Sequence, residues 1–259
     1  GMEEYALYSA IKSKNNNFEK IERWIERYYK SDEQRNSVPF MRYVFYALKL
    51  KGKKFVFSIS KDKQKAIKEC NYVFKNNIRL KQKQKKYFND RILKNNSIKK
   101  IKDKEQKFAY MSAMNSLDNL TLGYNKNYAI LAGLPWFFQI WARDELISLK
   151  ALILMRRYDV AKSILNRQLS NIKKDSILSS NNNGANSADA LGWLFKRIED
   201  YTRLSRRNIK LSTTKLKNIV DPLVTRRTLN NFAINSANET WMDSEERSGI
   251  RIEIQTLRL

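Results

Sequence analysis

The chain has 259 residues, of which 42% are hydrophobic and 12% aromatic, so it can bury a core and global disorder is not expected. It contains no histidine, which excludes a Ser-His-Asp triad, a Cys-His pair and a histidine-ligated metal and leaves acid–base chemistry to carboxylates, lysine or tyrosine. The formal net charge of +25 is compatible with a nucleic acid or an anionic surface as partner. The lysines, however, are spread along the chain among many Asn and Ile residues, so a compositional bias of the genome is the favoured explanation of the charge.

The single cysteine, Cys70, excludes an intrachain disulfide, and its position between Ala66 and Phe74 predicts a buried apolar residue. The longest apolar run, residues 128–142, is about fifteen residues long, short of the ~20 that a membrane-spanning helix needs. No signal peptide opens the sequence. We therefore expect a cytoplasmic protein without a membrane partner.

The first predicted elements are two β-strands. Residues 43–50, YVFYALKL, and 55–59, FVFSI, are rich in aromatic and β-branched side chains. The KGKK sequence between them contains Gly52, which supplies turn freedom. This pattern predicts a β-hairpin.

The apolar period changes after Asp62. Ile67, Cys70, Phe74 and Ile78 recur at helical spacing in a lysine-rich segment. The pattern predicts a long amphipathic helix that reaches about residue 93 and presents a solvated basic face.

The rest of the chain is predicted to be helices and loops. The expected helices are 104–117, 144–157, 158–171, 187–203 and 213–231. The helix after Asp144 is apolar nearly all round, which predicts an inner helix that is buried on most sides. Sequential helix pairs of this kind indicate an α/α solenoid or toroid, and no sequence repeat chooses between them.

Arg143 and Asp144 stand at the start of this apolar helix, directly after the aromatic stretch WFFQIWA. One interpretation makes Asp144 an N-cap, Glu145 a first-turn carboxylate that complements the helix dipole, and the aromatics plain core. The other makes Arg143 and Asp144 a donor and an acceptor beside flat apolar faces, which is the combination that a sugar ring requires.

Carboxylates also cluster in the segment ANETWMDSEERSG, where Glu239, Asp243, Glu245 and Glu246 surround Trp241. Mutual repulsion favours protonation of the most buried of them, and a protonated carboxyl group beside an aromatic wall is what a glycosidase uses to protonate a leaving oxygen. An exposed acidic loop is the alternative.

A third segment, NSADALGWLF, places Asp189 at a predicted helix start, where capping explains an aspartate.

Three segments in this order, AGLPWFFQIWARDELISL, NSADALGWLF and ETWMDS followed by GIRIEI, resemble the glucosidase domain of the amylo-alpha-1,6-glucosidase (glycogen debranching enzyme) family. The stretch from RYYKSDEQRNS to FVFSIS is more weakly similar to the end of the β-rich domain that precedes it. The resemblance implies a mainly α fold: part of an (α/α)6 barrel, or toroid, preceded by a short β-hairpin remnant. It divides the chain into the tail of an N-terminal β-rich domain (1–61), a long basic linker helix (62–103) and the N-terminal half of the barrel (104–259).

The resemblance also implies a function. Members of the family hydrolyse the α-1,6 branch-point glucose of glycogen and limit dextrin with inversion, without a metal or an organic cofactor. Asp243, in TWMD, matches the proposed general acid. Arg143 and Asp144 match the pair that holds hydroxyls of the terminal glucose. The other residues implied to bind substrate are Trp136, Trp141 and Trp241, as walls of the sugar pocket, and Asp189 and Glu253, near the site.

The sequence departs from the family pattern in two places. Ala142 stands where glycine is common, and after Glu253 the sequence RIEIQTLRL no longer follows the family. The general base of the family lies further downstream, and no residue of this chain matches it. About half of the barrel's helices are predicted. We therefore expect an internal fragment, a decayed copy, or one half of a split enzyme whose barrel a second chain completes, and a poor catalyst alone.

Two other functional classes remain open. A catalytically inactive remnant can keep Arg143, Asp144 and the tryptophans and bind α-glucan without turnover. A nucleic-acid-binding module can use the basic segment 75–107, in which Tyr87 and Phe88 interrupt the lysines, but it leaves the aromatic motif unexplained.

Overall fold

The computed structural model describes residues 7–14, 18–90, 96–134, 137, 139–173, 178–179 and 186–258. Helices cover about half of this part of the chain, with several short strands. The contacts divide the chain into two compact units, Gly1–Lys94 and Asn95–Leu259. Within the described ranges, no helix has both the length and the apolar character that crossing a bilayer requires. The assignment of 1–61, 62–103 and 104–259 to a β-domain tail, a linker and a half barrel stays a prediction.

The described residues of the first unit form four strands and two helices. In chain order they are β1 (Tyr8–Ser13), β2 (Phe18–Tyr28), α1 (Lys30–Gln34), β3 (Met41–Leu50), β4 (Phe55–Ser60) and α2 (Lys63–Phe88). β1 pairs antiparallel with β4, and β2 pairs antiparallel with β3. Ser13 at the end of β1 is opposite Phe55, and Phe18 at the start of β2 is opposite Leu50. An irregularity between Lys20 and Arg23 then shifts the β2–β3 register.

The hairpin predicted between residues 43–50 and 55–59 is wrong in its pairing. Both strands form, but they pair with β2 and β1 and not with each other. The β2–β3 pair joins nine residue pairs, whereas a hairpin across KGKK is limited to the five residues of 55–59. It also places Trp24 beside Phe45 with ring centroids 5.4 Å apart, a cross-strand contact that stabilises this register.

The predicted basic helix is confirmed as α2, which ends at Phe88; the last predicted residues, 91–93, lie outside the described part of the chain. Its first turn is capped by Asp62, whose side chain accepts a hydrogen bond of 2.6 Å from the backbone N of Lys65. Ala66 and Cys70 are buried where α2 packs against β1 and β4. Cys70 is only 2% exposed and its Sγ donates to the Val56 carbonyl, so the prediction of a buried apolar cysteine is confirmed.

The second unit is dominated by helices. Its elements are α3 (Asn96–Lys100), α4 (Lys104–Leu120), β5 (Thr121–Tyr124), β6 (Asn127–Ile130), α5 (Ala142–Leu154), α6 (Tyr158–Ser170), β7 (Leu178–Ser179), β8 (Asn186–Ser187), α7 (Ala190–Ser205), α8 (Thr213–Arg226), β9 (Thr228–Leu229), β10 (Phe232–Asn235), β11 (Gly249–Ile250) and α9 (Ile252–Arg258). The five predicted helices are present as α4 to α8, with ends shifted by a few residues. α9 was not predicted, and the short strands β5 to β11 contradict the expectation that this region contains only helices and loops.

The helices α5, α6 and α7 form the centre of this unit. α5 and α7 run in the same direction, because Arg143 contacts Asp189 at their starts and Lys150 contacts Asp200 further along both. α6 runs in the opposite direction, since Arg167 near its end binds the start of α5. The three helices therefore alternate in direction, as neighbouring helices of a layered α/α fold do.

The core lies where these helices meet. Its fully or nearly fully buried members on α5, α6 and α7 are Ala142, Leu146, Leu149, Leu152, Ile153, Val160, Ala161, Ile164, Leu165, Leu169, Ala190, Leu191, Leu194 and Tyr201. The prediction that α5 is buried on most sides is correct only for the face that carries Ala142, Leu146, Leu149, Leu152 and Ile153. Ile147, Ala151 and Leu154 form an exposed stripe in line with Asp144, because the neighbouring elements pack on the opposite side of the helix.

Candidate active site

The predicted site begins at the first turn of α5. The backbone of Trp141 is extended and takes the N-cap position, so the helix starts at Ala142. Asp144 is therefore inside the first turn, and the interpretation of Asp144 as the N-cap is wrong. Arg143 projects from the same turn and is mostly buried, which places a guanidinium at the end of the parallel pair α5 and α7.

Arg143 is fixed by the start of α7. Its Nε donates to Asp189 Oδ2 at 2.6 Å, and its Nη2 donates to Ser187 Oγ at 3.3 Å. Ser187 in turn donates to Asp189 Oδ1 at 2.6 Å. Asp189 does occupy the N-cap position of α7, but its side chain makes no capping hydrogen bond. Its buried carboxylate serves Arg143 and Ser187, so capping does not explain this aspartate.

The loop that carries Asp243 is attached to the segment before α7. The backbone N of Ala188 donates to the Glu239 carbonyl at 2.8 Å. From this anchor the chain brings Asp243 to Arg143, with Oδ2 3.7 Å from Nη1. Arg143 thus lies between Asp189 on one side and Asp243 on the other. Asp243 is the more accessible of the two, because 45% of its side chain is exposed.

The four carboxylates of the acidic segment have different environments. Glu239 is the buried one, and it accepts hydrogen bonds of 2.8 Å from Arg227 Nη1 and from the backbone N of Ser236. Its charge is therefore compensated by Arg227. Glu245 and Glu246 are exposed, as an acidic loop predicts. The sequence analysis expected repulsion from the other carboxylates to act on the most buried one. This interpretation is wrong for Glu239, which is paired with Arg227 and has a structural role.

A different carboxyl group has a perturbed acidity. Asp144 is reached by solvent, yet the protein around it removes enough hydration to raise its pKa. The nearby carboxylates of Asp243 and Asp189 also raise this pKa, while its own backbone N–H and Arg143 oppose the shift. The charges of Arg143, Asp189 and Asp243 are therefore close enough to change the pKa of Asp144. These four predicted residues form one electrostatic group.

The remaining predicted residues are less closely joined to this group. Trp141 is half-buried directly before α5, and Trp241 is 60% exposed, two residues before Asp243. Trp136 lies outside the described residues. Glu253 at the start of α9 forms an ion pair with Arg247, with Oε1 2.9 Å from Nη1 but without hydrogen-bond geometry.

Two supporting residues were missed by the sequence analysis. Ser187 is fully buried and links Asp189 to Arg143, and its position in the same motif as Asp189 was the available signal. Glu145 is fully buried, although it was interpreted only as a dipole partner. Its spacing from Leu149 and Leu152 places it on the core face of α5, which periodicity could have shown.

Glu145 fixes the helix start that carries Arg143 and Asp144. Its carboxylate accepts from the backbone N of Ile130 at 2.8 Å, from Arg167 Nη2 at 2.6 and 2.5 Å, and from Gln168 Nε2. Burial raises the pKa of Glu145, and Arg167 with the hydrogen-bond donors opposes that shift. The network joins α5 to α6 and β6, so hydrogen bonds from two other elements hold the helix start that carries the site.

The arrangement can bind a polyhydroxylated ligand and exchange a proton with it. A guanidinium, two accessible carboxyl groups and two tryptophans supply donors, acceptors and flat apolar faces. Over the described ranges, no group of three or more His, Cys, Asp or Glu side chains is arranged to hold a metal ion.

Comparison with known proteins identifies this part of the chain. A family model described as amylo-alpha-1,6-glucosidase matches residues 104–258, which is more than half of the chain. The matched region includes Arg143, Asp144, Asp189 and Asp243. Neither the curated proteins nor the solved structures include a match to this sequence.

Proposed function

Since the chain belongs to the amylo-alpha-1,6-glucosidase family, we propose that it hydrolyses α-1,6-glucosidic branch points of glycogen-like α-glucans as part of a longer or split enzyme. The observation that carries this proposal is the position of Arg143. It connects Asp189 of the second family-like motif to Asp243 of the third, at the helix start that bears Asp144.

In this proposal Asp243 is the general acid. Its side chain is accessible and stands on a loop anchored through Glu239. Arg143 uses Nε and Nη2 to hold Asp189 and Ser187, while its Nη1 is 3.7 Å from Asp243, beyond hydrogen-bond distance, and can donate to a ligand hydroxyl. Together with Asp144 it holds hydroxyls of the terminal glucose, while Trp141, Trp241 and Trp136 cover the apolar face of the ring.

The chemistry follows from carboxylate catalysis. Asp243 gives its proton to the glycosidic oxygen as the bond from that oxygen to the anomeric carbon breaks. A water molecule attacks the anomeric carbon from the opposite face and loses a proton to a second carboxylate, ~6.5–9.5 Å from the first, which inverts the anomeric configuration. We assign this second carboxylate to the part of the enzyme that completes the site.

The alternating directions of α5, α6 and α7 support an (α/α)6 barrel, with α5 and α7 as inner helices and α6 as an outer helix. The exposed stripe Ile147, Ala151 and Leu154 then faces the barrel axis. In a closed barrel other inner helices cover such a stripe. We propose that the missing half, on the same or a second chain, does so here.

Glucose release from a maltooligosaccharide that carries a single α-1,6-linked glucose tests the proposal, with the anomer followed by NMR. We expect little release from this chain alone, and release of β-glucose when the remaining half of the barrel is supplied. Asp243→Asn should abolish that release, whereas the matched control Glu246→Gln, an exposed residue of the same segment, should not.

Three results would change the assignment. Release that survives Asp243→Asn removes Asp243 as the acid. Release by this chain alone at the rate of intact enzymes refutes the need for a second half. Binding of the oligosaccharide that persists in Asp243→Asn, with no hydrolysis by either protein in the completed barrel, identifies a glucan-binding remnant.

A further inference from the structure

An open cavity lies outside the candidate active site, between α6 and the turn that joins β5 to β6. Its volume is about 720 Å³, within the size range of small-molecule sites. None of its lining residues belongs to the group around Arg143. It is therefore a separate concavity of the second unit.

The wall of this cavity is held in shape by Ser163 of α6. Its Oγ donates to the Lys126 carbonyl at 3.0 Å and accepts from the backbone N of Tyr128 at 3.2 Å. Both residues of the turn, Asn125 and Lys126, are in the left-handed region, with φ of 48° and 63°. The hydrogen bonds of Ser163 fix this turn against α6, so the backbone of Lys126, which lines the cavity, has a defined position.

The cavity has an excess of positive charge. Lys126, Lys162 and Arg167 line it, and among the described residues that line it Asp159 is the only acidic one. The Asp159 side chain is 92% exposed and forms its ion pair with Arg207, at 3.0 Å. In the part of the chain that the structure describes, neither lysine has an ion-pair partner. Two lysines thus line one concavity in which the carboxylate of Asp159 is already paired with Arg207, and this leaves a positive field there.

Neutral hydrogen-bonding groups complete the lining. Asn127, Asn166 and Ser170 add amide and hydroxyl groups beside the cations. A free phosphate fills only a small part of a cavity of this volume. The amides and the hydroxyl can then bind the alcohol part of a larger ligand.

We propose that this cavity is a binding site for a small phosphate-bearing ligand, with Lys126 and Lys162 on the phosphate group. The ligand is a phosphate monoester of a polyhydroxylated molecule or inorganic phosphate itself. Arg167 also lines the cavity, but its Nη2 remains bound to Glu145, so its charge is already compensated. This site goes beyond the proposed glucosidase function and does not depend on it.

Isothermal titration calorimetry with the whole chain tests the proposal. The probes are glucose 6-phosphate, inorganic phosphate and glucose, at constant ionic strength. The variant Lys126→Gln/Lys162→Gln removes both ammonium groups. The matched control Lys210→Gln/Lys217→Gln makes the same charge change at exposed lysines outside the cavity. Arg167 is left intact because Glu145 depends on it.

We expect saturable binding of one phosphate-bearing ligand per chain, weakened about tenfold or more by the cavity variant and unchanged in the control. Tighter binding of glucose 6-phosphate than of phosphate identifies an ester site, and equal affinity identifies a site for the free anion.

The absence of saturable binding overturns the proposal. So does an equal loss in both double variants, because general attraction to a basic protein then explains the effect. Circular dichroism must show the same fold for both variants.

Discussion

The two compact units differ in where their large apolar side chains lie. In the described part of the first unit, the buried hydrophobic residues are Ala66 and Cys70, while Trp24, Tyr43 and Phe57 are exposed. In the second unit eighteen buried residues form one cluster centred on α5, α6 and α7. Two-stranded pairs with a single covering helix leave most strand faces open, whereas three packed helices enclose a core. The candidate active site stands on the unit that has the core.

The largest expected effect tests whether Glu145 holds the second unit together. Glu145→Ala leaves Arg167 without its carboxylate and the Ile130 N–H without an acceptor, so we expect a loss of about 3–5 kcal/mol in the free energy of unfolding. The matched control is Glu199→Ala on α7, an exposed residue paired with Lys196, which should destabilise the protein far less because water screens an exposed ion pair. Urea unfolding measures both.

The urea unfolding experiment requires a signal that reports on the second unit alone. Four of the five tryptophans are in the second unit, and Trp24 is in the first. In a Trp24→Phe background, tryptophan fluorescence therefore follows the second unit alone. Equal losses for Glu145→Ala and Glu199→Ala would show that the buried network contributes no more than a surface pair.

The comparison of the two units is tested next by truncating one apolar residue in each. Leu149→Ala opens a cavity in the core of the second unit, and we expect a loss of about 2–5 kcal/mol. Phe57→Ala removes a larger but exposed side chain of β4 and should change stability by about 0.5 kcal/mol or less. Unfolding curves followed by circular dichroism give both values. A loss from Phe57→Ala as large as that from Leu149→Ala shows that the face of β4 is covered in solution.

A smaller effect comes from the acidity of Asp144. Because the folded state raises the pKa of Asp144, the fold favours the protonated form. The stability that this proton provides is complete below the ordinary aspartate pKa of about 3.9 and is lost as the pH rises through the raised value. We therefore expect Asp144→Asn to be more stable than the wild type at neutral pH.

This difference should disappear in acid. Melting temperatures of Asp144→Asn and the wild type, measured at a series of pH values, provide the test. The raised pKa of Glu145 acts in the same direction in both proteins and cancels in the comparison. A stability difference that does not change with pH would contradict the assignment of the shift to Asp144.

The smallest expected effect is that of Trp24→Phe. Trp24 contacts Phe45 on an open face and is 67% exposed, and phenylalanine keeps part of that contact. We expect a change within about 0.5 kcal/mol. The thermal unfolding of Trp24→Phe, followed by circular dichroism, checks this value, and a larger loss would place Trp24 in an interface.

The sequence predicted elements better than it predicted their partners. Helical periodicity located α2 and α4 to α8, because each apolar stripe follows from the local sequence. The pairing of β3 with β2 was missed, since strand choice depends on residues far along the chain and KGKK resembles a hairpin turn.

The candidate site shows the same division. The residues Arg143, Asp189 and Asp243 were identified from motifs, and they are in contact in the structure. The residues that support them were not identified. A glutamate in the first turn of a helix can be buried or exposed to solvent, and the sequence does not distinguish the two cases. The contacts with Arg167 and Gln168 show that Glu145 is the buried kind.

The exposed stripe of α5 has a consequence for the behaviour of the protein in solution. This stripe, Ile147, Ala151 and Leu154, is an apolar surface that favours association, on a molecule whose formal charge is +25. At low ionic strength, repulsion between like-charged molecules opposes contact between such surfaces. At about 0.15 M salt the Debye length is only ~8 Å, and this repulsion no longer reaches between approaching molecules. Colloidal stability therefore decreases as salt is added, and dilute buffer is the condition that keeps the protein dispersed.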